Sequence, residues 1–300
     1  MRRSPTTDRN VVQLGDGRRL TFAESGPRSG VPVLYCHGAI GTPLGGSVDL
    51  DAITWKLGVR QIAVNRPGIG GSDPAAGRTV LGFAADVSAL LDALALDRVH
   101  VIAVSAGGPY ALALAHELPD RVQRVAVCSS LSPLCAPHRT PGMQLRIRLA
   151  LALVARAPSL CTALGDSMLP AIRRHPGLLS QVIAAHAAPH ERERLARPDE
   201  RHAASTSFLD AALEGVRGMI DDYGTYSRGW GFAPAEVAVP VHLWHGFNDP
   251  LVPAEHALQL AATLPDCRVF LDPDEGHHFF RRRLAEILAV LIGRPATVST

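Results

Sequence analysis

The chain has 300 residues, of which 47% are hydrophobic and 19% are charged, so it can build a substantial core and is not a disordered chain. Its formal net charge of +2 gives no reason to expect nucleic acid or an acidic membrane as a partner. The five cysteines are odd in number and include no CxxC pair, which argues against a disulfide framework and a zinc site.

The N-terminal residues and the apolar runs also bear on location. The first ten residues, MRRSPTTDRN, have no apolar segment behind their charges, so they do not resemble a signal peptide. The longest apolar run near the middle of the chain, residues 149–155, is far shorter than a membrane span. We therefore expect a cytoplasmic protein without a membrane partner.

Short apolar runs alternate with helical patterns from residue 31 to about residue 130. The runs that predict strands are residues 31–36, 59–65, 98–105 and 121–130. The helical patterns are a segment after Ser47 and residues 80–94 and 109–118, the last ended by Pro119-Asp120. Continuous apolar strands separated by helices predict a mostly parallel sheet covered by helices on both faces.

The pattern changes after Ser132. Residues 137–230 contain no convincing strand but several helical stretches, including 144–157 and 207–220. Alternation then resumes with a strand at 240–246, a helix at 254–264, a strand at 267–272 and a final amphipathic helix at 279–292. A helical block between two stretches of one α/β pattern predicts a lid over the same sheet.

One serine stands where a buried strand turns into a helix. Ser105 ends the apolar run 99–104, and Ala106 and Gly107 follow it. A nucleophile on such a turn projects into the crevice above the sheet, and the strained backbone requires small residues two positions before and after it. Ala103 and Gly107 meet that requirement. The helix N-terminus also brings backbone N–H groups to the site, which suit a developing oxyanion.

A serine hydroxyl needs a base, and the base needs an orienting acid. Asp249 follows the predicted strand 240–246, and His277 follows the predicted strand 267–272. Both residues therefore belong to the carboxyl edge of the sheet, where open α/β sheets hold their sites. Asp272 and Asp274 are the competing acids, but they lie too near His277 in sequence to reach the far side of its ring easily.

Five ordered motifs carry a family resemblance. They are CHGAIG at 36–41, NRPGIGGSD at 65–73, AVSAG around Ser105, WHGFNDPLVP around Asp249 and EGHHF around His277. With them the chain resembles the α/β-hydrolase fold superfamily, in its form with a helical cap. The resemblance covers about residues 12–293. It implies a mostly parallel central sheet flanked by helices, with a core of residues 12–136 and 231–293 and a cap insertion at 137–230.

The resemblance also implies roles for individual residues. Ser105 resembles the nucleophile, His277 the general base and Asp249 the orienting acid of the catalytic triad. The backbone N–H groups of Ala39 and Ala106 resemble the oxyanion hole. These five residues form the predicted active site.

Two departures and three supporting residues accompany these assignments. Ala103 replaces the first glycine of the G-x-S-x-G elbow, which the steric requirement tolerates. His278 duplicates the base, and we prefer His277 because it directly follows a glycine, as the histidine of the family does. His37, Arg66 and Ser72 are expected to brace their loops rather than to react.

The expected function is a serine hydrolase that cleaves a small carboxylic ester, lactone or related acyl substrate. A serine at the elbow, where dehalogenase and epoxide-hydrolase relatives carry aspartate, argues against alkyl-enzyme chemistry. The alternatives on the same triad are hydrolysis of a carbon–carbon bond next to a ketone and cofactor-free perhydrolysis, observed as haloperoxidase activity. A further alternative is a ligand-binding member without catalysis. We expect no cofactor, and no metal because the histidines show no ligand spacing.

Apolar residues of the predicted cap suggest the character of the substrate pocket. The residues in question are Leu149, Leu153, Met168, Phe208 and Met219. Lining by these side chains would give a largely hydrophobic pocket.

Overall fold

The computed structural model describes residues 9–42, 50–134, 142–185 and 187–295. Its strands are β1 (Asn10–Gln13), β2 (Arg19–Ser25), β3 (Val31–Cys36), β4 (Val59–Val64), β5 (Val99–Val104), β6 (Val122–Cys128), β7 (Val241–Gly246) and β8 (Cys267–Asp272). They form one eight-stranded sheet in the order β1-β2-β4-β3-β5-β6-β7-β8. The pairings of β1 with β2 and of β2 with β4 are antiparallel, and the other pairings are parallel. The mostly parallel sheet confirms the predicted fold class.

Helices cover both faces of this sheet. In chain order, the helices of the described residues are α1 (Leu50–Leu57), α2 (Phe83–Ala93), α3 (Gly108–Glu117), α4 (Leu145–Arg156), α5 (Pro158–Arg174), α6 (Gly177–Ala185), α7 (Pro189–Leu195), α8 (Pro198–Ala211), α9 (Arg217–Tyr226), α10 (Glu255–Thr263) and α11 (Phe280–Leu291). Val101 of β5 packs in the cluster that contains α2, α3 and α10, whereas the next residue, Ile102, packs with α11. Because successive strand residues point to opposite faces, a continuously apolar strand is buried on both sides.

The structure departs from the predicted elements at two places. β1 and β2 were not predicted, because β1 is a short strand of alternating burial and offers no continuous apolar run. The helix predicted over 207–220 is wrong: α8 ends at Ala211 and α9 begins at Arg217. Gly215, with φ of +101°, lies in this break, and a backbone in that conformation ends a right-handed helix. The helix predicted after Ser47 begins at Leu50, and residues 43–49 lie outside the described part.

Helices α4–α9 follow β6 and precede β7, and the described residues between these two strands form no strand. We refer to residues 142–226 as the helical insertion. Ile69, in the loop after β4, packs with Leu169 and Met219 of the insertion, which fixes the insertion against the sheet domain. The predicted cap boundary at residues 136 and 137 lies outside the described residues, so the division into core and cap stays a prediction.

No single helix of the described residues is long and apolar enough to span a membrane. The bent pair α4–α5 meets those criteria only when its two helices are taken together.

Candidate active site

Ser105 lies directly after β5 with φ of +53°, in the left-handed region that side chains rarely adopt. The turn is closely packed on both sides. A Cβ at Gly107 would overlap the carbonyl oxygen of Cys36, and a Cβ at Gly108 would overlap the hydroxyl of Ser130. Ser130 Oγ also donates a hydrogen bond of 2.6 Å to the carbonyl oxygen of Ser105. The predicted strained elbow with small neighbours is therefore present in the backbone.

The loops after β7 and β8 bring Asp249 and His277 together. His277 Nδ1 lies 2.7 Å from Asp249 Oδ2, while Asp249 Oδ1 accepts hydrogen bonds from the backbone N–H groups of Leu251 and Val252, at 2.8 and 2.9 Å. His245 Nε2 lies 3.4 Å from Asp249 Oδ2 and 2.8 Å from the carbonyl oxygen of Val252. Burial opposes the charge of Asp249, but the imidazoles of His277 and His245, through their attraction and their hydrogen bonds, hold the pKa of that carboxyl well below its usual range.

The environment of His277 favours its protonated form. Burial lowers the pKa of His277, but the attraction and hydrogen bond of the Asp249 carboxylate outweigh burial, so the pKa lies above its ordinary value of 6.5. Because Nδ1 is bound to the carboxylate, Nε2 is the nitrogen that remains for a reaction. Ser105 and His277 line the same cavity. In the described part of the chain, no hydrogen bond joins Ser105 Oγ to the His277 ring.

The competing residues are engaged elsewhere or unsuited to the role. Asp272 Oδ2 accepts a hydrogen bond of 3.1 Å from Arg283, and Asp272 Oδ1 accepts one from the backbone N–H of Asp274. The ring of His278 meets that of His277 edge to face, and its Nε2 has no hydrogen-bond partner among the described residues. Burial and the neighbouring His277 hold the pKa of His278 well below its usual value.

The cavity has a volume of about 660 Å³ and lies between the sheet edge and the helical insertion. Its sheet side carries Ser105, His277 and the two residues of the predicted oxyanion hole, Ala39 and Ala106. Aliphatic side chains of the insertion form the opposite side, namely Ile147, Leu151, Val154, Ile183 and Leu195. The described residues contain no group of three His, Cys, Asp or Glu side chains placed to hold a metal ion.

The cavity is mostly apolar, as predicted, but the five residues that we expected to line it do not. Leu149, Leu153 and Met168 are 61%, 49% and 59% exposed and do not line the cavity. Phe208 and Met219 pack in the separate cluster between the insertion and the loop after β4. Composition alone identified apolar helices, but it did not identify which helical face turns toward the site.

A buried ion pair holds the loop that carries Ala39. Arg66 donates from Nη1 to the carbonyl oxygen of His37 at 2.6 Å and from Nη2 to that of Gly38 at 2.9 Å. Its Nε donates to Asp222 Oδ2 at 2.9 Å, and the Tyr110 hydroxyl donates to Asp222 Oδ1 at 2.6 Å. Arg66 and Asp222 are each 1% exposed. Burial opposes both charges, but their mutual attraction raises the pKa of Arg66 and lowers that of Asp222.

The ring of His37 fixes the same loop in its neutral form. Burial, together with the nearby Arg66 guanidinium, lowers the pKa of His37 to about 3. The neutral ring donates from Nδ1 to the carbonyl oxygen of Gly38 at 2.8 Å and accepts at Nε2 from the backbone N–H of Arg66 at 3.4 Å. Arg66 and His37 therefore brace the loop, as the sequence interpretation expected.

A second contact from the insertion reaches the loop of His277. Glu191 of α7 is 1% exposed, and its Oε1 accepts a hydrogen bond of 2.6 Å from the backbone N–H of His278. Arg194 donates to the carbonyl oxygen of His278 at 2.8 Å. Sequence reasoning identified neither Glu191 nor Asp222. Glu191 lies in a charged helical stretch that resembles solvent-exposed surface, and Asp222 follows the predicted helix 207–220 with no local pattern that links it to Arg66.

The comparisons with known proteins agree with this architecture. A family model described as alpha/beta hydrolase fold matches residues 31–281. A non-heme chloroperoxidase of Streptomyces lividans is 34% identical over 134 residues, which cover 43% of this chain and 48% of that protein. The chain spans about half the length of this and two other curated relatives.

Solved structures resemble this fold over nearly the whole chain. A bromoperoxidase from Bacillus anthracis superposes with a TM-score of 0.72 at 19% identity, covering 95% of this chain and 99% of that one. A thermophilic esterase from Thermogutta terrifontis superposes with a TM-score of 0.68 at 21% identity, covering 95% and 98%. At such identities the likeness extends to the fold alone. The family model, the sheet order and the strained turn after β5 together establish that the chain belongs to the alpha/beta hydrolase fold family.

Proposed function

We propose that the protein is a serine hydrolase that cleaves a carboxylic ester, lactone or related acyl substrate through an acyl-enzyme. The observation that carries this proposal is the 2.7 Å contact between His277 Nδ1 and Asp249 Oδ2, at a cavity that Ser105 also lines from a strained turn. A carboxylate that orients an imidazole toward a serine at such a turn is the arrangement that activates a hydroxyl.

The proposed reaction has two halves. Ser105 Oγ attacks the substrate carbonyl while His277 Nε2 takes the hydroxyl proton, and the imidazolium then protonates the leaving alcohol. Water attacks the resulting acyl-enzyme with His277 again as base, and the proton returns to Ser105 as the acid departs. Asp249 keeps its charge and stabilises the imidazolium. The proton transfer requires Ser105 Oγ to reach Nε2 in the substrate complex, and catalytic hydrogen bonds are often longer in ligand-free sites.

The oxyanion of the tetrahedral intermediate needs donors that already lie in place. The backbone N–H groups of Ala39 and Ala106 are the proposed donors, one from the loop after β3 and one from the short turn between β5 and α3. Each such donor contributes about 3 kcal/mol to the transition state. The bracing of the Ala39 loop by Arg66 supports this role, since a preorganised donor loses no energy to reorientation during the reaction.

A fluorophosphonate probe tests the proposal, because it reacts with an activated serine. The folded protein should be labelled, Ser105→Ala should not be labelled, and Ser167→Ala, a change of an exposed serine on α5, should be labelled like the wild type. In hydrolysis of nitrophenyl esters, the wild type and Ser167→Ala should be equally active, and Ser105→Ala should be inactive. Equal labelling of wild type and Ser105→Ala, or no labelling of the folded wild type, would favour the ligand-binding alternative.

Cofactor-free perhydrolysis is the second candidate, favoured by the partial match to a non-heme chloroperoxidase. In that reaction hydrogen peroxide replaces water as the attacking nucleophile at the acyl-enzyme, and the released peracid oxidises halide. Halogenation of a dye should then require both peroxide and a carboxylic acid and should be lost in Ser105→Ala. A peroxide-dependent rate far below the rate of ester hydrolysis would leave esterase action as the principal activity.

A further inference from the structure

The helical insertion exposes an unusual share of the large apolar side chains. Among the described residues, eight of the sixteen exposed large hydrophobic residues belong to α4, α5 and α6. Six of these eight are Leu145, Leu149, Leu153, Leu160, Leu164 and Met168, with exposures between 49% and 67%. Single exposed apolar residues are ordinary, but such a concentration on two adjacent helices indicates an interaction surface.

Helical geometry separates these side chains from the cavity. On α4 the cavity is lined by Ile147, Leu151 and Val154, whereas Leu145, Leu149 and Leu153 recur every fourth residue on the opposite face. On α5 the same spacing of four relates Leu160, Leu164 and Met168. Leu169 on the other side of α5 is buried, and so is Ile172, the next residue in the same spacing, so the exposed stripe ends at Met168. We call the six exposed residues from Leu145 to Met168 the outer apolar face.

Positive charge accompanies the outer apolar face. The segment 142–174 contains five arginines and one aspartate, a formal charge of +4 in a chain whose total is +2. All five arginines are exposed, and none has an ion-pair partner in the described part of the chain; they are Arg146, Arg148, Arg156, Arg173 and Arg174. Asp166 instead accepts a hydrogen bond of 2.8 Å from the backbone N–H of Val216. On α4, a rotation of 100° per residue places Arg146 and Arg148 on the two sides of the leucine stripe, and Arg146 also borders the cavity.

We propose that the outer apolar face docks on an anionic lipid surface. Leucines bordered by arginines match both parts of such a surface, since the apolar side chains enter the acyl boundary and the guanidinium groups pair with lipid phosphates. A second copy of this chain fits less well, because a two-fold interface would bring two segments of charge +4 together. The net charge of +2, from which we expected no membrane partner, is the sum of this basic segment and an acidic rest of the chain.

Vesicle flotation tests the proposal. The full chain should float with vesicles of phosphatidylcholine mixed with phosphatidylglycerol and much less with phosphatidylcholine alone, and about 1 M salt should remove the difference by screening. Leu149→Ser combined with Leu164→Ser should weaken flotation by about tenfold or more. Arg148→Gln combined with Arg174→Gln should weaken it by about fivefold per arginine.

Two matched controls make the result specific. Leu258→Ser changes a leucine of similar exposure, 48%, on α10 outside the outer apolar face, and should float like the wild type. Ser105→Ala should also float like the wild type, so docking and the proposed chemistry can fail separately. Absence of flotation, equal flotation with both vesicle types, or a loss in Leu258→Ser equal to that of the leucine pair would overturn the proposal. So would a dimer in sedimentation that the leucine pair dissociates without any vesicle binding.

Discussion

The two sides of the cavity are built on different principles. On the sheet side, Asp249 is held by backbone N–H groups and two imidazoles, and Ser105 by a turn that admits no additional side-chain atoms. On the insertion side, aliphatic side chains such as Leu151 line the cavity, while the opposite face of the same helix exposes Leu149. The sheet therefore fixes chemical groups in position, whereas the insertion supplies the shape of the cavity and an outer surface.

The two sides are nevertheless joined by polar contacts at two places. Asp222 of α9 pairs with Arg66, which holds the loop of Ala39, and Glu191 of α7 accepts the backbone N–H of His278. The insertion thus contacts the loop of Ala39 and the loop of His277, and the proposed mechanism needs both loops in fixed positions. We therefore expect changes on the sheet side to remove the chemistry and changes at these two contacts to disturb the positioning of the loops.

Asp249→Asn carries the largest expected effect. The amide cannot hold His277 in the tautomer with Nδ1 protonated, so kcat should fall by about 10⁴-fold while the fold is retained. In the wild type, only neutral His277 acts as a base and its pKa lies above 6.5, so kcat/KM should rise with pH through a pKa above that value. Loss of the carboxylate should lower the pKa of His277 and so move this acidic limb, the rising part of the kcat/KM profile, to lower pH.

Hydrolysis of a nitrophenyl ester across pH measures both effects. Asp274→Asn is the control, since Asp274 is an exposed carboxylate near the same histidine, and its profile should match that of the wild type. An unchanged rate in Asp249→Asn would remove Asp249 from the proposed triad.

Asp222→Asn should cost about 3–5 kcal/mol of unfolding free energy, because it leaves the buried guanidinium of Arg66 without its counter-ion. Urea unfolding measures the loss. The neighbouring change Asp221→Asn breaks an exposed pair with Arg217 on the same helix and should cost at most about 0.5 kcal/mol. Similar losses in the two variants would contradict a special role for the buried pair. The surviving Asp222→Asn protein should also show a lowered kcat, since the loop of Ala39 is less firmly held.

The sequence predicted the parallel strands and the turn at Ser105 correctly because the residues that determine them are neighbours in the chain. Each of the six parallel strands from β3 to β8 has an apolar run, and the turn at Ser105 needs small residues that are visible in the sequence. The pairing of Asp249 with His277 followed from their places after neighbouring strands. Strand β1 was not predicted because an edge strand with one solvent-exposed face lacks a continuous apolar run.

The insertion was harder to predict because its contacts are distant in sequence. Asp222 lies 156 residues from Arg66, and no local pattern links them. Glu191 stands in the run PHERERL, which has the composition of an exposed helix, although its carboxylate is buried. The leucines of α4 repeat on two faces, so periodicity alone could not assign one face to the cavity and the other to solvent.

Glu191→Gln should have a smaller effect than the loss of Asp222. The amide retains one carbonyl oxygen but no longer accepts from the backbone N–H groups of both His278 and Ala188, which should cost about 1–3 kcal/mol. Because the carboxylate of Glu191 contributes to the raised pKa of His277, the acidic limb of the pH profile should also move to lower pH. Glu193→Gln, at an exposed position of the same helix, should change neither quantity.

The smallest expected effect belongs to the outer apolar face. Leu149→Ala should change the unfolding free energy by no more than about 0.5 kcal/mol, because the side chain is 61% exposed and its removal opens no cavity. Leu112→Ala in α3 makes the same chemical change at a fully buried position and should cost about 2–5 kcal/mol. A cost for Leu149→Ala that approached the cost for Leu112→Ala would mean that the face is covered in solution by protein. Its leucines would then serve the fold rather than an external lipid surface.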